Sequence, residues 1–212
     1  MRRRFPFMQL DIPNRDFAGY IFDLDGTLVD TMPLHYRAWD AAMREVGMTG
    51  VLDEELFYSL GGVPTRRVAQ LLAEHYGLEI DADAVTHRKE TLYLELLAEV
   101  RTIEPVAAIA RAAVAQGKPV AIATGGTPEV AYPSLDASGL RSLFSVVITP
   151  LDVAPGRGKP APDMFLLAAE RLGVRPQDCI VFEDAEPGME AARVAGMTVV
   201  RVPSRELLQP KR

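Results

Sequence analysis

The chain has 212 residues, 48% of them hydrophobic and 25% charged, with a formal net charge of −6. That length implies one large domain or a core carrying an insertion, and the composition is ordinarily globular. The acidic balance argues against broad nucleic-acid binding, although a few local cations can still set the field of one anion-binding cleft. The one cysteine, Cys179, excludes an internal disulfide framework and fits a reducing, cytoplasmic compartment. No apolar run approaches the roughly 20 residues that span a bilayer, so no membrane contact is expected. The opening "MRRRFPFMQLDIPNRD" has a basic head without an apolar h-region and reads as a frayed tail, not a secretory signal.

The first apolar run, Tyr20 to Leu24, reads as a buried strand inside the stretch "IFDLDGTLVD". Residues two apart in a strand face one side, so Asp23 and Asp25 present paired carboxylates as the chain loosens into a turn. From Asp30 to about Ile103 no strand-like run appears. "PLHYRAWDAAMREVG", "DEELFYSLGG", "TRRVAQLLAEHYG" and "ADAVTHRKETLYLELLAEV" read instead as four helices. Val68, Leu71, Leu72 and His75 share one face, and Val85, Leu92, Leu96 and Val100 another. Pro33 and Asp53 suit helix starts, while Gly47, Gly61 and Gly77 suit helix ends. Tyr36, Trp39 and Met43 at helical spacing read as packing, and His35, His75 and His87 have no metal-ligand spacing.

Beyond the helical block, strands and helices alternate. "KPVAIAT", "FSVVIT", "CIVFED" and "MTVVRV" are short apolar runs, separated by helices near residues 128–138, 161–173 and 187–196. Such alternation predicts a parallel sheet covered on both faces. The expected architecture is therefore α/β, a doubly wound Rossmann-like core formed by residues 1–29 and 104–212. A four-helix cap, residues 30–103, is inserted directly after the first strand. Ligands bind at the carboxyl ends of the strands in open α/β sheets, so the insertion reads as a lid over that edge.

Three further polar clusters end strands or neighbouring loops at the same edge. "IATGG" offers Thr124 beside Gly125 and Gly126, "GRGKPAPD" offers Lys159, and "VFEDAEPG" offers Glu183 and Asp184. Together they supply what phosphoryl transfer needs, charge neutralisation and positioning. Asp23 is the candidate nucleophile, forming an aspartyl-phosphate. Asp184, with Glu183 assisting, fits a Mg²⁺ site completed by Asp23 and the backbone carbonyl of Asp25. Asp25 is the candidate acid and base, Lys159 neutralises nucleophile and phosphate, and Thr124 with the Gly125 amide binds phosphate oxygens.

These four stretches, in this order, resemble the motifs of the haloacid dehalogenase superfamily, and the match runs from about Ala18 to Val202. The segment "VFEDAEPGMEAARVAGM" and the position of the helical insertion are similar to the β-phosphoglucomutase and sugar-phosphatase subfamily. The second aspartate, Asp25, implies phosphate chemistry. The resemblance also implies substrate contacts from the cap: His35 against the acid/base aspartate, Gly62 and Arg66 in a seating loop, and Lys89 facing the substrate. "FEDA" and the "PT.R.AQ" pattern resemble bacterial fructose-1-phosphate and 6-phosphogluconate phosphatases. The expected function is thus a Mg²⁺-dependent phosphatase acting on a small phosphorylated sugar or sugar acid, as a monomer or weak dimer. A β-phosphoglucomutase-like mutase shares every core residue and stays open as an alternative, as does a ligand-sensing scaffold without turnover.

Overall fold

The computed structural model describes residue 8 and residues 10–203; the basic head of the chain lies outside them. Five strands form one parallel sheet in the order β3-β2-β1-β4-β5: β1 Gly19–Phe22, β2 Val120–Ala123, β3 Val146–Ile148, β4 Cys179–Glu183 and β5 Thr198–Arg201. The order reverses at β1, so the switch point of the sheet lies where Asp23 emerges. The doubly wound α/β expectation is met. Pairing runs up to the polar strand-end residues, with Glu183 opposite Arg201 and the Asp23 amide donating to the Phe182 carbonyl at 3.0 Å.

The strands are apolar on both faces because both are covered. On one side α5 (Glu104–Ala115) and α6 (Pro128–Ser138) pack with Phe22, Ile122 and Phe182. On the other, α7 (Asp163–Leu172) and α8 (Glu186–Val194) pack with Ile21, Ala121 and Val181. Phe22 at the centre stacks on Phe182 at 5.0 Å and meets Phe144 edge-on at 5.9 Å. Such aromatic pairs add about 0.5–1.5 kcal/mol each beyond their burial. Cys179 is fully buried on β4 as a small hydrophobe.

The stretch after β1 holds α1 (Met32–Glu45), α2 (Glu54–Ser59), α3 (Thr65–Tyr76) and α4 (Ala82–Leu94), which build a separate apolar cluster around Trp39, Met43, Phe57 and Leu72. Asp53 caps α2 by accepting from the Leu56 amide at 2.8 Å, and Gly77 ends α3 in the left-handed conformation. Two sequence expectations shift. His75 is exposed, and Ala69 takes its place on the buried face of α3. The last helix stops at Leu94, so Leu96 and Val100 lie beyond it and the buried stripe of α4 is Ala82, Val85, Lys89 and Tyr93. No helix of the described residues is long and apolar enough to cross a membrane.

Candidate active site

Beyond Phe22 the chain leaves the sheet and turns on itself, the amides of Leu28 and Val29 both donating to the Leu24 carbonyl. Gly26 sits in that turn at φ +83°, and a Cβ there would run into the Asp184 carboxylate. The turn therefore needs glycine for both its conformation and its close approach to β4. It splits the two aspartates by partner. Asp23 Oδ1 accepts from Lys159 Nζ at 2.6 Å, whereas Asp25 Oδ1 accepts from the Thr31 hydroxyl at 2.6 Å and faces His35 Nε2 at 3.3 Å.

Lys159 comes from the loop before α7 and also donates to Glu183 Oε1 at 3.1 Å. Its side chain is 6% exposed; burial opposes its charge, but Asp23 and Glu183 outweigh that and hold the ammonium above its ordinary pKa. Glu183 is equally enclosed, its Oε2 accepting from the Asp184 amide at 3.0 Å. A Cβ at residue 188 would overlap the Glu183 carboxylate, so Gly188 makes room for it at the start of α8. Asp184 accepts from the Thr27 hydroxyl at 3.1 Å.

Asp23, Glu183 and Asp184 each offer an oxygen within 4.8 Å of the others. Burial and the neighbouring Asp23 charge push Asp184 up to about 7, and burial likewise raises Asp23 and Glu183 although Lys159 pulls both back. Three carboxylates around one lysine lack positive charge, and hard oxygen donors so arranged fit a small divalent cation. Asp25 stands outside this set by its side chain.

Asp25 leads to a buried relay. His35 Nδ1 lies 3.0 Å from Lys89 Nζ, and the ring stacks on Tyr93 at 4.0 Å. An ammonium has no acceptor, so Nδ1 accepts; the neutral ring then carries its proton on Nε2 and donates it to Asp25. Burial and the Lys89 charge keep His35 below its ordinary value, while burial lowers Lys89 to about 8. Burial alone would raise Asp25, but the bond from His35, its charge when protonated, and the Thr31 bond hold it low.

A cavity of about 380 Å³ brings these groups together with Thr124, Gly125, Gly62 and the apolar residues Trp39, Phe57 and Val68. Thr124 is buried, and its oxygen accepts the Gly126 amide at 3.0 Å, leaving its proton free to donate. Arg66 does not join them. It is exposed and paired with Asp83 at 2.7 Å, and it lines no part of the cavity. Arg66 thus stands apart from the other seating-loop residue, Gly62, with its guanidinium paired to a carboxylate on α4 at the surface. Sequence reasoning missed Thr27 and Thr31, which hold the acids in place. Thr31 occupies the N-cap position of α1 yet makes no side-chain cap bond.

An open parallel sheet that gathers an acidic pair, a lysine and a strand-end threonine at its switch point is a Rossmann-like hydrolase core. The model of the haloacid dehalogenase-like hydrolase family matches residues 17–196, and the chain belongs to that family. It is 38% identical to fructose-1-phosphate phosphatase YqaB of Escherichia coli over 187 residues, covering 88% of this chain and 96% of that protein. Among solved structures it resembles CbbY from Rhodobacter sphaeroides in complex with phosphate, with TM-score 0.77, 25% identity, and coverage of 86% of this chain and 84% of that one. A putative β-phosphoglucomutase from Thermotoga maritima superposes with TM-score 0.68 at 29% identity, over 86% of this chain and 83% of the other.

Proposed function

We propose that the chain hydrolyses phosphomonoesters of a small phosphorylated sugar, with Asp23 as nucleophile. One observation carries this reading: Asp23 is fixed by Lys159 at 2.6 Å on the floor of a cavity it shares with Asp25, Thr124 and Asp184. A Mg²⁺ ion held by Asp23, Asp184 and the Asp25 carbonyl, with Glu183 beside it, would supply the positive charge that lets a phosphate dianion approach a carboxylate.

In the first step Asp23 forms a bond to phosphorus as the ester bond to the sugar oxygen breaks, and Asp25 gives that oxygen a proton. In the second, water attacks the aspartyl-phosphate, Asp25 takes the water proton, and Asp23 is released with inorganic phosphate. Thr31 and His35 keep Asp25 ionised at rest, the form that serves the second step. A phosphate dianion in the cavity favours its neutral form for the first. Lys159 orients Asp23, the Thr124 hydroxyl donates to a phosphate oxygen, and the Gly125 amide adds a second donor. Residues 30–103 act as the lid over a core whose described parts are residues 10–29 and 104–203, and through His35 and Lys89 the lid sets the acid. The mutase alternative is not favoured, because the 38% relative is named a phosphatase.

The test is phosphate release from fructose 1-phosphate by the purified chain with Mg²⁺. Asp23→Asn is expected to lower turnover by about a thousandfold or more, since the nucleophile acts as a unit with its partners. Undiminished release by that variant would remove the covalent route.

A further inference from the structure

Glu90 follows Lys89 on α4, and the reaction just described leaves it without a task. Its side chain lines the cavity and is half-buried, and its carboxylate makes no hydrogen bond or ion pair with a described residue. Burial raises its pKa, Lys89 partly offsets this, and Glu129 at the start of α6 adds to the rise. Around it the cavity is poor in free positive charge. Its lining has five carboxylates, Asp23, Asp25, Glu90, Glu183 and Asp184, against two lysines, Lys89 and Lys159. Lys159 is bound to Asp23 and Glu183, Lys89 is bound to His35, and Arg66 is turned away by Asp83.

We propose that Glu90 determines specificity: its carboxylate accepts hydrogen bonds from hydroxyls of the leaving alcohol and excludes substrates carrying a second anionic group. This rests on the phosphatase reading and narrows it to phosphomonoesters of neutral polyhydroxy compounds. A hydroxyl donating to a half-buried carboxylate makes a charge-assisted bond, stronger than one between neutral groups. A second phosphate or a carboxylate in the same place meets a like charge among apolar walls of Trp39, Phe57 and Val68, and the one lining ammonium not paired with a carboxylate, Lys89, is already engaged by His35. Sugar acids, admitted by the sequence alone, are thereby disfavoured.

The experiment measures kcat/KM of the full chain with Mg²⁺ on fructose 1-phosphate, 6-phosphogluconate, fructose 1,6-bisphosphate and p-nitrophenyl phosphate. The native protein is expected to prefer fructose 1-phosphate over both doubly anionic esters by about tenfold or more, the scale of one like-charge contact. Glu90→Gln should narrow that ratio by about tenfold and Glu90→Lys should invert it, because each changes the charge met by the second anion. Ratios within one preparation do not depend on the fraction folded. Equal use of the three sugar esters by the native protein, or a ratio unmoved in both variants, overturns the role of Glu90. If no ester is cleaved, p-nitrophenyl phosphate included, the phosphatase reading itself fails and takes the specificity argument with it.

Discussion

Thr127 carries a buried hydroxyl with no hydrogen-bond partner among the described residues, directly after the Gly125-Gly126 pair. It stands at the N-cap of α6, where a threonine ordinarily bonds an exposed amide, yet it makes no such bond. An unsatisfied buried hydroxyl costs about 1–3 kcal/mol, and valine has the same shape without it. Thr127→Val is therefore expected to leave the melting temperature unchanged or raise it, as thermal unfolding would show; a clear fall would mean the hydroxyl has a partner in solution. The acids Asp23, Asp25 and Asp184 were legible because carboxylates at the ends of apolar runs have few structural uses. Glu90 was not, because a carboxylate on a helix looks like a solvated one until the cavity beside it is seen. The surface pairing of Arg66 was hidden for another reason. Its partner, Asp83, lies on another helix and no local pattern announces the pairing.

At the scale of elements, α4 shows why a periodic reading is partial. Its buried stripe of Ala82, Val85 and Tyr93 contains Lys89, only 5% exposed, so the face that packs on α1 carries an ammonium at its middle. Hydrophobic spacing skips that position and slides to Leu92, Leu96 and Val100. The helix α5 escaped notice differently: "EPVAAIARAAVA" is alanine-rich and apolar nearly all round, leaving no stripe to detect. Lys89 has a measurable cost. Burial lowers its pKa from 10.5 to about 8, so between those values the unfolded chain binds more protons and native stability rises with pH. Below that window the buried charge costs roughly 3 kcal/mol, and its loss would leave His35 Nδ1 unpaired at a cost of about 1–3 kcal/mol. Lys89→Met is thus expected to hold or gain stability at pH 7 while kcat/KM falls. The native chain should recover ground on the variant as pH rises from about 8 toward 10.5. Denaturant unfolding at several pH values checks both, and a variant several kcal/mol less stable at pH 7 would contradict the argument.

Across the whole molecule, the folded state itself creates the charge crowding that the site uses. The parallel pairing of β1 with β4 sets Phe22 beside Phe182, which forces the next residues, Asp23 and Glu183 with Asp184, to the same edge. Lys159 then reaches in from the far side of β2, and the buried Tyr93–Ser134 hydroxyl contact at 2.7 Å ties α4 to α6. Apolar packing of the sheet drives three carboxylates together, so the fold is stable in spite of its site, and a divalent cation that binds only the folded chain must stabilise it by mass action. At a hundred times the dissociation constant that gain is about 2.7 kcal/mol. Mg²⁺ is accordingly expected to raise the melting temperature of the native protein, and chelation to return it. Asp184→Asn keeps an oxygen for the Thr27 hydroxyl but removes one charge. It should melt higher than the native chain without metal and respond far less when Mg²⁺ is added. Scanning calorimetry of both proteins, with and without Mg²⁺, separates these terms without any substrate. An unaltered metal response in Asp184→Asn would place the cation elsewhere, and a lower melting temperature without metal would show that the crowded carboxylates do not oppose folding.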